Sequence, residues 1–308
     1  MTHGHTSIPT KGCCIYCGNS HATLTDEHIV PLSLGGQHII RKASCLSCAD
    51  ITKRFEQDVA RGLWGNARTS YNAPSRRKKD RKKDVRLHPV RDLDSVLVVP
   101  TSEYPAPLVF YKMFRAGILQ GASPEEDSSS RWTLIAIADE LRLRAFETQH
   151  PGRLTAQFRH VPTSYARLLA KIGYGQVLCS LHPNEFNPIC LPYILGQKKN
   201  LSYIVGDRPT FETPQPSAGY RLSSHRVGTA DRLLILAEIR LFANNQTPTY
   251  HVVVGDVTGA ERVAAVKGKL AATCAVDLPE AAVIPDNLSD EFHWMPTKWP
   301  PEEASFRA

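Results

Sequence analysis

Between residues 14 and 48 the chain carries Cys14-Ile-Tyr-Cys17, Leu24-Thr-Asp-Glu-His-Ile-Val-Pro31, Leu34-Gly-Gly36 and Cys45-Leu-Ser-Cys48. A Cys-x2-Cys turn presents two sulfurs to one tetrahedral metal, at about 2.3 Å each. Two such turns, with 27 residues between Cys17 and Cys45, predict a closed zinc site of Cys14, Cys17, Cys45 and Cys48. Four thiolates leave no open position for a substrate, so this zinc is expected to hold the fold and do no chemistry. Cys13 lies beside Cys14 but lacks the spacing to Cys17, and Cys179, Cys190 and Cys274 share no ligand spacing. A disulfide pair and inert core cysteines are the competing readings; a reducing cytoplasm opposes the first, and core cysteines rarely arrive as two matched pairs.

The segment between the knuckles reads as a hairpin. Leu24 to Pro31 forms one arm, Gly35-Gly36 the turn, and Ile39-Ile40 begins the return. Beyond Cys48, Ile51, Phe55, Val59 and Leu63 recur at four-residue steps and predict a helix. Arg76-Arg-Lys-Lys-Asp-Arg-Lys-Lys83 then forms a dense charge run, and a domain boundary is expected near residue 90.

Ordered knuckles around Glu27-His28-Ile29-Val30-Pro31 and Leu34-Gly35-Gly36 resemble the HNH endonucleases of the ββα-metal fold. The resemblance covers about residues 13 to 60. It implies that His28 is the general base and Glu27 a ligand of a catalytic Mg²⁺ or Mn²⁺. It also implies a nucleic-acid partner, with DNA expected. The chemistry agrees with the residue types. Phosphodiester hydrolysis needs a water deprotonated near neutral pH, the range in which histidine titrates. It also needs a cation on the scissile phosphate, held by hard oxygen ligands such as carboxylates. In a strand Glu27 and His28 face opposite sides, so they can share a site only where the strand ends and bends.

Two positions depart from the family pattern. Lys42-Ala43-Ser44 stands where its middle Asn is expected, and Ala49 follows the last cysteine in place of His or Asn. Asp50 is taken as the second metal ligand, with Glu56 as the alternative and Asp26 a weaker candidate. The rival reading is a zinc-ribbon module that grips nucleic acid without cutting, its metal shell eroded at Ala49. A third is an interaction protein whose zinc module serves only as a scaffold.

Charge is unevenly divided. Of the net +7, residues 1–91 hold 16 Lys+Arg against 7 Asp+Glu, and residues 92–308 hold 21 against 23. The basic end is expected to meet a polyanion. Arg76, Arg77, Lys78, Lys79, Arg81, Lys82 and Lys83 are candidate phosphate contacts. Lys53, Arg54 and Arg61 extend the path along the helix, and Arg41 and Lys42 from the hairpin.

With 42% hydrophobic and 22% charged residues the chain is of ordinary globular composition, which excludes a disordered or collagen-like polymer. No apolar run approaches the roughly 20 residues of a membrane span. Leu233 to Phe242 is interrupted by Glu238 and Arg240. The polar start at Met1 to Lys11 shows no secretory signal, so a cytoplasmic location is expected.

Downstream, Tyr165, Leu168, Leu169 and Ile172 mark one face of a helix, opposed by Arg167 and Lys171. Leu233 to Phe242 alternates as a strand, and Asn244 to Pro248 turns the chain into a second strand at Tyr250-His-Val-Val-Val. Gly206-Asp-Arg-Pro209 and Pro214 to Gly219 read as loops. His160, His182, His225 and His251 are isolated and read as surface or core. The expected architecture is α+β: a small N-terminal ββα-metal zinc module, then a larger α+β domain of unassigned task. The expected divisions are a tail at 1–12, the module at 13–70, a basic linker at 71–91, the larger domain at 92–300 and a tail at 301–308.

Overall fold

The computed structural model describes residues 6–70, 73, 83–89, 94–151, 154–155, 158–209, 212–214 and 219–273. The chain opens with β1 (Thr6–Ile8), β2 (Leu24–His28), β3 (His38–Cys45) and α1 (Leu46–Gln57). β3 is the middle strand, antiparallel to β2 and parallel to β1. Part of the expected N-terminal tail is therefore strand β1, which buries Ile8.

The predicted helix continues past α1 as a π-helical turn, Asp58–Leu63. Apolar residues at strict four-residue steps drift by about 40° per step around an α-helix of 3.6 residues per turn. Widening the last turn brings Val59 and Leu63 back beneath Phe55, and all three are buried. Trp64 follows, fully buried, its Nε1 donating to the Val109 carbonyl at 2.6 Å.

Next come α2 (Gly65–Ser70), β4 (Asp84–Pro89), β5 (Leu97–Pro100), β6 (Leu108–Lys112), β7 (Thr133–Ile137), α3 (Glu140–Gln149), β8 (Leu154–Thr155) and α4 (Pro162–Val177). Residues 84–89 of the expected linker are thus strand β4, because Val85 and Leu87 alternate into the core. The chain closes with α5 (Leu191–Ile194), β9 (Val205–Asp207), β10 (Tyr220–Gly228), β11 (Arg232–Leu241), β12 (Tyr250–Thr258) and α6 (Ala260–Thr273). Gly206 and Asp207, read as loop, lie in β9, which borders the sheet of order β10-β11-β12-β9. Asp207 is drawn there by polar partners that the sequence does not display: the Met113 backbone N–H and the Lys112 ammonium.

α4 is the central plank. On one side, a methyl group at Gly173 would sit 3.1 Å from Cβ of Val252, so the helix lies tight against the β11–β12 sheet. On the other side it meets the N-terminal module. The two regions share one continuous hydrophobic core, in which Ile15, Tyr16, Val30 and Phe55 join Tyr165, Ile172 and Tyr174. No helix among the described residues is long and apolar enough to cross a membrane.

Candidate active site

The zinc knuckles converge as expected. The ligand atoms of Cys14, Cys17, Cys45 and Cys48 all lie within 4.8 Å of one another. The sulfurs of Cys17 and Cys45 are 3.7 Å apart, close to the roughly 3.8 Å edge of a tetrahedron with 2.3 Å metal–sulfur bonds. Cys45 ends β3 and caps α1, and Cys48 sits in the first helical turn, so one ion here ties strand to helix. The donor set fits zinc, and the four cysteines form a zinc site.

The strand bend required for Glu27 and His28 is built into the hairpin. Pairing slips between Thr25 and Glu27, where β3 carries extra residues and Lys42 adopts a left-handed φ of 44°. Asp26 holds this bulge: Oδ1 accepts from the Lys42 backbone N–H at 3.0 Å, and Oδ2 pairs with Arg41 at 2.5 Å. β2 then ends at His28, and the chain turns through Pro31 into the two glycines. Gly35 has φ 89°, and any Cβ at Gly36 would stand 1.7 Å from the Val30 carbonyl oxygen. Only glycine permits that return.

An open cleft of about 870 Å³ lies between the end of β2 and α1. Glu27 and His28 both border it. The wall from α1 and the π turn is the face made by Ala49, Thr52, Lys53, Glu56, Gln57 and Ala60, spaced as one side of a helix. Asp50 lies about 100° around from Ala49, exposed and outside the cleft lining, so the helix brings Glu56 rather than Asp50 to Glu27 and His28. Lys53 and Arg61 border the cleft, whereas Arg54 is exposed elsewhere on α1. Lys83 is exposed, and Arg76, Arg77, Lys78, Lys79, Arg81 and Lys82 lie outside the described residues.

Lys171 is the residue that the sequence reading misplaced. It is 1% exposed, not part of a solvated face. Its Nζ pairs with Oε1 of Glu27 at 2.7 Å and Oε1 of Glu56 at 2.9 Å, and donates to the His28 carbonyl, with the Ile29 carbonyl at 3.3 Å. Burial alone would lower its pKa, but the two carboxylates outweigh that and hold it above the ordinary lysine value. Burial pushes the Glu56 carboxyl up, with Lys171 opposing the rise. A signal was present: α4 is apolar almost all round, and a helix of that kind is buried on every side.

The isolated histidines have structural partners. His225 is buried with Nε2 2.9 Å from Glu238 Oε2, and His251 Nε2 accepts the Ala116 N–H at 3.0 Å. His182 Nε2 lies 2.8 Å from the Lys11 carbonyl, and His160 Nδ1 lies 3.3 Å from the Tyr111 hydroxyl. Among the described residues, the cysteine set is the only metal-type cluster of three or more His, Cys, Asp or Glu.

No curated protein and no solved structure matches the chain. Residues 14–61, which contain the knuckles, the bulged hairpin and the cleft-facing helix, match the family model described as HNH endonuclease, and this module is an HNH endonuclease-family domain.

Proposed function

We propose that the cleft hydrolyses phosphodiester bonds in nucleic acid, with DNA the expected substrate, as a divalent-metal-dependent HNH endonuclease. The observation that carries this reading is the meeting of His28, Glu27 and Glu56 at one cleft bordered by Lys53 and Arg61. Glu27 and Glu56 offer hard carboxylate oxygens, the donor type that suits Mg²⁺ or Mn²⁺. An ion held there supplies positive charge to the scissile phosphate and to the leaving oxygen. His28 takes the proton from the attacking water. Lys53 and Arg61 meet neighbouring phosphates and set the strand along the cleft. The four-cysteine zinc site takes no part in the chemistry and fixes β3 on α1.

Incubation of supercoiled plasmid with the zinc-loaded protein and Mg²⁺ or Mn²⁺ tests this reading. Conversion to nicked and linear forms supports it. DNA retained in a gel shift but left intact in every metal would favour the non-catalytic binder, in which Ala49 marks a lost ligand.

A further inference from the structure

The nuclease reading assigns the cleft's carboxylates and histidine but not the ammonium that touches all three residues. Lys171 is not contributed by the HNH module. It arrives on α4 from the larger domain, and the arrival is fixed at several points along one helix face. Arg167 lies over the Phe55 ring of α1, 4.7 Å from its centroid. Tyr174 donates its hydroxyl to the Ile15 carbonyl within the first zinc knuckle, at 2.6 Å. A Cβ at Gly175 would come within 3.3 Å of the Ile29 side chain, so the helix is pressed against the residue after His28. Positions 167, 171, 174 and 175 share one side of a helix, and three of them grip the module on either side of Lys171.

We propose that Lys171 is a positioning residue of the nuclease site: its ammonium, carried in by the larger domain, holds Glu27 and Glu56 side by side as the carboxylate pair that receives the divalent ion. This rests on the nuclease reading for the ion's role. Two carboxylates in the wall of one cleft repel each other, and without a countercharge they turn apart. Lys171 engages Oε1 of each, and both residues border the cleft. Its further donation to the His28 carbonyl ties the same ammonium to the backbone of the proposed base. The arrangement also accounts for Ala49. With no ligand directly after the last cysteine, the second carboxylate comes from Glu56, two turns along the same helix face, where only an external partner can fix it. Groups that orient metal ligands in this way are worth about 10–100-fold in metal affinity or activity.

The test uses the full-length, zinc-loaded protein and Mn²⁺ itself as the probe. Free Mn²⁺ is followed by electron paramagnetic resonance, and Glu27→Gln identifies the site through the binding it removes. Lys171→Met is expected to weaken Mn²⁺ binding about 10–100-fold at unchanged zinc content. The Mn²⁺ concentration needed for cleavage should rise, while the rate at saturating Mn²⁺ stays within a few-fold of wild type. If Lys171→Met does not fold, Lys171→Gln, neutral but still a donor, makes the same comparison. Unchanged or tighter Mn²⁺ binding would overturn the proposal, as would a wild-type protein with no Glu27-dependent Mn²⁺ site. The two readings fail separately. Weakened Mn²⁺ binding in a protein that cuts nothing removes the nuclease and keeps the positioning role. Cleavage by wild type with Mn²⁺ affinity unaltered in Lys171→Met removes the positioning role alone.

Discussion

Nζ of Lys171 stands 2.7 Å from Oε1 of Glu27, so a helix of the larger domain reaches the carboxylate beside His28. The zinc module and the α+β domain are therefore joined at the cleft as well as by the chain.

Zinc removal tests the scaffold. The purified protein should carry about one zinc per chain, the content of a closed four-thiolate site. Chelation or Cys45→Ala should unfold the knuckles, because metal-binding energy is largely folding energy in such modules. The Tyr174–Ile15 hydrogen bond and the shared core then predict a lower melting temperature for the whole chain, read by differential scanning calorimetry.

Glu56 and Asp50 separate on metal dependence. Glu56→Gln should raise the Mn²⁺ requirement for cleavage by at least tenfold, as loss of a carboxylate ligand would. Asp50→Asn should cleave near the wild-type rate, since Asp50 is exposed and outside the cleft lining. A metal titration of cleavage on both variants decides it.

The phosphate path is read in salt. Lys53→Ala combined with Arg61→Ala should weaken binding alike for all sequences. The slope of log K against log[salt] should become shallower by about 0.9 for each duplex phosphate that is no longer neutralised. Filter binding across a salt series measures this.

His251 predicts a pH dependence of stability. Burial depresses its pKa to about 3, and its Nε2 is engaged as an acceptor. The unfolded chain takes up the proton near its ordinary pKa of about 6.5, whereas the folded chain does not. The contribution is thus complete above about pH 6.5 and lost progressively as pH falls towards 3. At pH 5 the loss amounts to about 2 kcal/mol. Urea unfolding at pH 7.5 and pH 5 should show it in wild type, and should show it reduced in His251→Gln.

Much of the module was legible because its chemistry is local. Metal spacing fixes the cysteines, and the bend after His28 is written in Pro31, Gly35 and Gly36. What was not legible depends on distant partners. That Glu56 and not Asp50 borders the cleft follows from which face of α1 turns towards β2. Lys171 was read with Arg167 as the side of α4 opposed to its apolar face; the apolar run of the helix hints at burial all round, but which carboxylates the ammonium meets depends on β2 and α1. β9 read as a loop because Gly206 and Asp207 are turn-forming residues, and only the neighbouring β12 makes them a strand. The bulge at Lys42 was hidden for the same reason, since Asp26 stabilises it from the opposite strand.

The most direct test of the nuclease site is plasmid cleavage by His28→Ala beside wild type, in Mg²⁺ and in Mn²⁺. A general base acts in the chemical step, so the variant should lose about 10²–10⁴ in rate while zinc content and DNA binding stay near wild type. Equal nicking by wild type and His28→Ala in every divalent metal would contradict the account.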